Sequence, residues 1–119
     1  MSKLSLELAV KALKSLGLTE MDAQVYVYLA KKGPREEKDL ANALKLARTQ
    51  LRLSIESLLT KGMIITYSAH SVKYSAIELE KVLEQFLETK KEQAKILRTT
   101  KKELLSTWRS SIKKHSSDN

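Results

Sequence analysis

From Ser5 to Leu16 the apolar residues Leu6, Ala9, Val10, Leu13 and Leu16 recur at the spacing of one helical face, with Lys11 and Lys14 on the wet side, and Gly17 ends the pattern. Thr19 and Asp22 then stand at capping-box spacing, in which a hydroxyl at the N-cap and a carboxylate one turn later satisfy unpaired amides. A second helix is predicted from Glu20 to about Lys31, with Ala23, Tyr26, Val27 and Ala30 inward and Lys31-Lys32-Gly33-Pro34 as its stop. A short helix follows over Glu36 to Leu44, carried by Leu40, Ala41 and Leu44, with Glu36, Glu37 and Asp39 near its positive end. Lys45 to Ala47 reads as a tight turn, after which Leu51, Ile55, Leu58 and Leu59 recur at helical spacing as far as Lys61, with Gly62 as the terminal cap. Two short helices joined by so few residues have the spacing of a helix-turn-helix.

Beyond Gly62 the period drops to two. Ile65 and Tyr67, then Val72, Tyr74 and Ala76, alternate with small or polar residues, which predicts two short strands with Ala69-His70-Ser71 as the hairpin tip. Spacing makes Tyr26 and Tyr67 core residues. Glu78 to Lys114 contains neither Gly nor Pro, and a continuous helix of that length reaches roughly 55 Å, too long to be covered by so small a domain. Leu83, Leu87, Lys90, Ala94, Leu97, Lys101, Leu104, Trp108 and Ser111 alternate as d and a positions of an imperfect heptad seam. The prediction is a mainly α protein with a small β-hairpin: a winged helix-turn-helix over residues 1–77, a long C-terminal coiled-coil helix over 78–114, and a disordered tail over 115–119.

Composition narrows the function. The 119 residues carry 22 Lys plus Arg against 14 Asp plus Glu, a net charge of +8, which is the electrostatic footprint of a protein drawn to a polyanion. The chain has no Cys, so thiolate chemistry and Cys-ligated zinc are excluded, and its two His, His70 and His115, lack metal-ligand spacing. Gly17, Gly33 and Gly62 stand alone, so no phosphate-cradling loop is present. The expectation is a protein that is not an enzyme, with no catalytic residues, no metal and no cofactor. The N-terminal residues interrupt their apolar run with Lys3 and Glu7, and no membrane partner is expected.

The stretch Leu16-Gly-Leu-Thr-Glu-Met-Asp-Ala-Gln-Val-Tyr, then Lys32-Gly33-Pro34, Leu46-Ala-Arg-Thr-Gln-Leu, Leu58-Leu-Thr-Lys-Gly-Met-Ile and Lys73-Tyr-Ser-Ala, resembles the N-terminal winged-helix domain of TrmB-type archaeal transcription regulators. The resemblance covers about residues 13 to 78. It departs from the family at Lys45 and Ala47, where a turn Gly and Pro are common, and at Arg52, where an aromatic is usual. The sugar-sensing domain of full-length members has no counterpart in these residues, so the resemblance implies DNA binding without an effector site. The plan is also similar to small stand-alone archaeal winged-helix proteins that dimerise through a C-terminal helix.

Placing Leu51, Ile55 and Leu58 inward turns Thr49, Arg52, Leu53 and Glu56 outward, with Arg48 and Gln50 at the exposed first turn. Arg forks onto guanine O6 and N7, Gln onto adenine N6 and N7, and Leu53 meets a thymine methyl. Lys45, His70 and Lys73 are candidates for phosphate contact. A competing reading makes Arg48 and Arg52 a solvated pair one turn apart and Leu53 a satellite of the core. The predicted dimer contacts are Leu83, Phe86, Leu87, Ala94, Leu97, Leu104 and Trp108. Glu78, Glu80, Glu84 and Glu88 make the long helix acidic at its start, and Lys90 to Lys114 make it basic afterwards, which favours antiparallel pairing. The expectation is a cytoplasmic, nucleoid-located homodimer that binds double-stranded DNA as a transcription regulator or a nucleoid-associated protein. Its rivals are a winged-helix protein-protein interaction module with a basic helical arm and a membrane-surface protein.

Overall fold

The computed structural model describes residues 3–68 and 70–117, with side chains over 5–68 and 70–112. The chain divides into two compact units, residues 1–82 and 83–119. The first holds helices α1 (Lys3–Ser15), α2 (Glu20–Lys32), α3 (Glu37–Leu44) and α4 (Arg48–Thr60), then strands β1 (Ile64–Ser68) and β2 (Val72–Ala76). Helix α5 (Leu79–Ser117) begins in the first unit and makes up the second. The fold is mainly α with one antiparallel hairpin, as the periodicity predicts. Helix α5 continues into the stretch assigned to a tail, because no Gly or Pro interrupts it before Ser117; residues 118 and 119 lie outside the described residues.

The helix ends follow local chemistry. Thr19 is the N-cap of α2, its Oγ1 accepting from the Asp22 amide at 3.0 Å, and Gly33 closes that helix at φ 86°, its N–H donating to the Leu29 carbonyl. Only half of the predicted capping box forms, because the Asp22 carboxylate is buried against α4. At the end of α3, Lys45 takes the left-handed conformation (φ 54°, ψ 48°) and donates to the Ala41 carbonyl. A side chain there costs about 1 kcal/mol relative to Gly.

Leu13, Tyr26, Leu29, Leu40, Leu51, Leu58, Met63 and Ile64 are fully buried and form the core with Val82, from the first turn of α5. Helix α2 packs against α1, α4 and β2, so its buried arc is wider than one stripe. Val25 and Leu29 lie inside, whereas Val27 is half-buried and Ala30 is exposed, correcting the predicted face. In α4, Ser54 occupies an inward place while Leu59 is at the surface.

The hairpin pairs Ile64 with Ala76, Ile65 with Ser75, Thr66 with Tyr74 and Tyr67 with Lys73. Its buried member is Ile64; Ile65 and Tyr67 are half exposed, so the expectation of a core Tyr67 fails. Met63-Ile64-Ile65 is apolar throughout, and a one-residue shift of phase moves every side chain to the other face. Arg35 and Tyr74 exchange both backbone hydrogen bonds, at 3.1 and 2.8 Å, which attaches the hairpin to the segment before α3.

Tyr26 donates its phenolic hydrogen to the Ile77 carbonyl, and burial pushes its pKa up to about 12. Unfolding releases the phenol to ionise near 10, so its contribution is complete below about pH 10 and is lost as pH rises toward 12. Urea titrations between pH 9 and 11.5 are expected to show stability falling through this window, and Tyr26→Phe is expected to flatten the fall.

Candidate nucleic-acid interface

The core stripe of α4 is Leu51, Ser54, Ile55 and Leu58, which leaves Thr49, Leu53 and Glu56 on the opposite face. Leu53 is 64% exposed, large for an aliphatic side chain on a helix so well anchored elsewhere. Arg48, Thr49, Arg52, Leu53 and Glu56 line one shallow concavity on this face. Gln50 and Leu53 also line a second groove, with Thr19, Met21, Ser54 and Ser57, toward the start of α2. The structure therefore brings together Arg48, Thr49, Gln50, Arg52 and Leu53, all exposed on one helix.

Two polar ties hold that helix at its flanks. Toward α2, the buried Asp22 carboxylate accepts from Ser54 Oγ through Oδ1 and from Ser57 Oγ at 3.2 Å through Oδ2. Lys61 Nζ lies 3.8 Å from Asp22 Oδ2 and donates to Ser57 Oγ at 2.7 Å. Toward α3, Arg52 donates to Glu37 from Nε at 3.1 Å and from Nη2 at 3.3 Å. The hydrogen bond to Glu37, and then its charge, raise the Arg52 pKa above its ordinary value, with Glu56 adding to the field. The competing reading of Arg48 and Arg52 as a solvated pair leaves out Glu37, to which Arg52 is tied across the two helices. Sequence reading missed both Glu37 and Asp22 in these roles, since their partners lie on other helices.

The remaining candidates are spread out. Lys45 is exposed in the turn before α4, His70 is exposed at the hairpin tip, and Lys73 is half-buried on β2 across from Tyr67. In the second unit Leu83, Leu87, Leu97, Leu104 and Trp108 are all exposed on the single chain, with Phe86 and Ala94 half-buried. Ile96 and Ile112, not among the predicted contacts, are exposed as well. Among the described residues no group of three or more His, Asp or Glu is placed to hold a metal ion, and no helix is long and apolar enough to cross a membrane.

A short helix, a tight turn, a second helix with an open outer face and a two-stranded hairpin define a winged helix-turn-helix. The family described as "Sugar-specific transcriptional regulator TrmB" matches residues 13–80, more than half of the sequence, and the chain belongs to it. Its fold is similar to that of TrmBL2, described as an archaeal chromatin protein whose structure shows a novel mode of DNA binding (TM-score 0.77, 25% identity, over 86% of this chain and 40% of that one). The chain thus spans well under half of TrmBL2. It shares the fold of ST1889 from Sulfolobus tokodaii (TM-score 0.62, 22% identity, 75% and 94% covered) and of the transcriptional regulator Tm0710 from Thermotoga maritima (0.56, 18%, 96% and 85%). No curated protein matches the sequence.

Replacing Asp22 by Ala leaves the Ser54 hydroxyl buried without its acceptor. The expected cost is about 1–3 kcal/mol, measured as a lower urea midpoint at unchanged slope.

Proposed function

We propose that the chain is a non-enzymatic DNA-binding transcription regulator acting as a homodimer in the nucleoid, with α4 laid in the major groove and the hairpin beside it. The observation that carries this reading is the division of labour on α4. Its inner face and both flanks are tied to the protein, whereas Arg48, Thr49, Gln50 and Leu53 face solvent. Lys45, at the turn, and Lys73 and His70, on the hairpin, fit phosphate contacts at the edges of that helix, and the charge of +8 supplies the attraction to a polyanion. The likeness to TrmBL2 supports a chromatin-type role alongside regulation at defined operators.

The second unit supports the dimer. A single helix leaves Leu83, Leu87, Leu97, Leu104 and Trp108 in water, and these residues fall on one heptad seam. Beside the seam, Glu84, Lys91 and Arg98 occupy successive e positions, and the other flank, Phe86, Gln93, Thr100 and Thr107, is uncharged. A parallel pair sets the e column against this neutral column. An antiparallel pair lays the acidic start of one helix, with Glu80, Glu84 and Glu88, along the basic continuation of its partner.

Arg48→Ala is expected to weaken binding to a preferred duplex by about 1–3 kcal/mol, roughly fivefold to more than a hundredfold, without lowering thermal stability. Unchanged fluorescence anisotropy titrations at fixed salt would count against α4 as the reader.

Leu97→Glu combined with Leu104→Glu is expected to turn the dimer into a monomer in sedimentation equilibrium. In mixed dimers spin-labelled at positions 84 and 108, short distances are expected between unlike sites. Short distances between like sites would show a parallel pair.

A further inference from the structure

Arg52 is held in place before any DNA arrives. Its Nε and Nη2 meet the two oxygens of Glu37 at 3.1 and 3.3 Å, a side-on bidentate contact between the second helix of the motif and the first turn of α3. A guanidinium carries five N–H donors in a rigid plane. The contact with Glu37 commits one on Nε and one on Nη2, and leaves both donors of Nη1 and the second of Nη2. The edge formed by Nη1 and Nη2 is a fork of two parallel donors, the arrangement that matches O6 and N7 of guanine. The Arg52 side chain is 64% exposed, whereas that of Glu37 is 22% exposed, so the carboxylate is the fixed partner and the guanidinium faces solvent.

We propose that Glu37 is a positioning residue for base recognition: it fixes the plane of Arg52 so that the free edge of the guanidinium meets guanine as a preformed fork. This rests on the reading of α4 as the DNA-contacting helix. A long, unrestrained Arg gives up its rotamer freedom on binding, and it finds phosphate oxygens as readily as a base edge because the backbone offers acceptors along the whole duplex. An Arg clasped from one side has already lost that freedom and is kept from swinging toward the phosphates. Glu37 carries a second consequence of opposite sign, since a carboxylate near the duplex repels phosphate whatever the sequence. Losing Glu37 therefore raises sequence-blind affinity and lowers discrimination. A purely structural role is a poor account of the pair, because an exposed ion pair contributes little to stability and α3 already packs against α4, each helix having a fully buried leucine, Leu40 and Leu51.

The test uses the full chain and variants Glu37→Ala, Glu37→Gln, Arg52→Ala and Glu37→Ala with Arg52→Ala, each checked for folding by thermal melting. A duplex selected by the wild-type protein from a random pool is compared with versions in which each G·C pair is replaced in turn, and with a random duplex, by anisotropy across a salt series. The expected result is that Glu37→Ala binds the random duplex as well as wild type or better, yet loses at least fivefold discrimination at one G·C position. That loss is expected to be absent when Arg52 is already Ala, and Glu37→Gln, which keeps one acceptor oxygen, falls between. An equal gain on every duplex, with or without Arg52, would reduce Glu37 to a repelling charge and overturn the proposal, as would a loss of discrimination that persists in the Arg52→Ala background. A wild-type chain that binds all duplexes alike overturns the positioning role while leaving DNA binding in place, and one that binds no duplex overturns the reading of α4 itself.

Discussion

The Asp22 carboxylate, almost wholly buried, is the constraint on which the placement of α4 depends. A buried carboxylate is tolerable only when hydrogen-bonded, and this one takes its donors from Ser54 and Ser57, with the Lys61 ammonium beside it. All three residues belong to α4 or its C-cap, while Asp22 lies in the first turn of α2. Apolar packing of Leu51, Ile55 and Leu58 holds α4 against the core but leaves sliding along and rotation about the helix axis weakly specified. Directional bonds to a fixed carboxylate remove both freedoms. The rotation of the resulting face is set by the core packing together with Asp22, whereas Glu37 orients only the Arg52 side chain.

The elements themselves were legible because helix spacing, caps and breakers are local. Thr19 and Gly33 act where their chemistry places them, the turn between α3 and α4 has the predicted length, and the long helix follows from an uninterrupted run without Gly or Pro. Faces were harder. Helix α2 meets three neighbours, so no single stripe describes it, and Met63-Ile64-Ile65 allows either phase of a strand, which put Tyr67 on the wrong side. The exposed row from Arg48 to Leu53 was readable from the Leu51, Ile55 and Leu58 stripe. The ties at its flanks were not, because Asp22 and Ser54 are separated by 32 residues and Glu37 and Arg52 by 15, and no periodicity links them.

The two units answer to different physics. The first carries its own core, in which Leu13, Tyr26, Leu29, Leu40, Leu51, Leu58 and Met63 are covered by its own helices and hairpin, while Leu8, Leu53, Ile65 and Tyr67 remain exposed as separate side chains. The second is one helix with a seam of large apolar residues in water and charges sorted along its length. Folding of the first is a property of one chain, whereas the proposed pairing would make order in the second depend on concentration, since an isolated helix obtains most of its stability from a partner.

Lys45 holds a left-handed backbone where glycine would sit without penalty, in the turn that leads into α4 and its open outer face. That turn is a store of unused stability. The outer side chains of α4, Leu53 and Thr49 among them, are exposed, so exchanging them leaves the stability of the fold nearly unchanged. The chemistry of that face and the stability of the fold can thus be altered independently, the first at exposed positions of α4 and the second at Lys45.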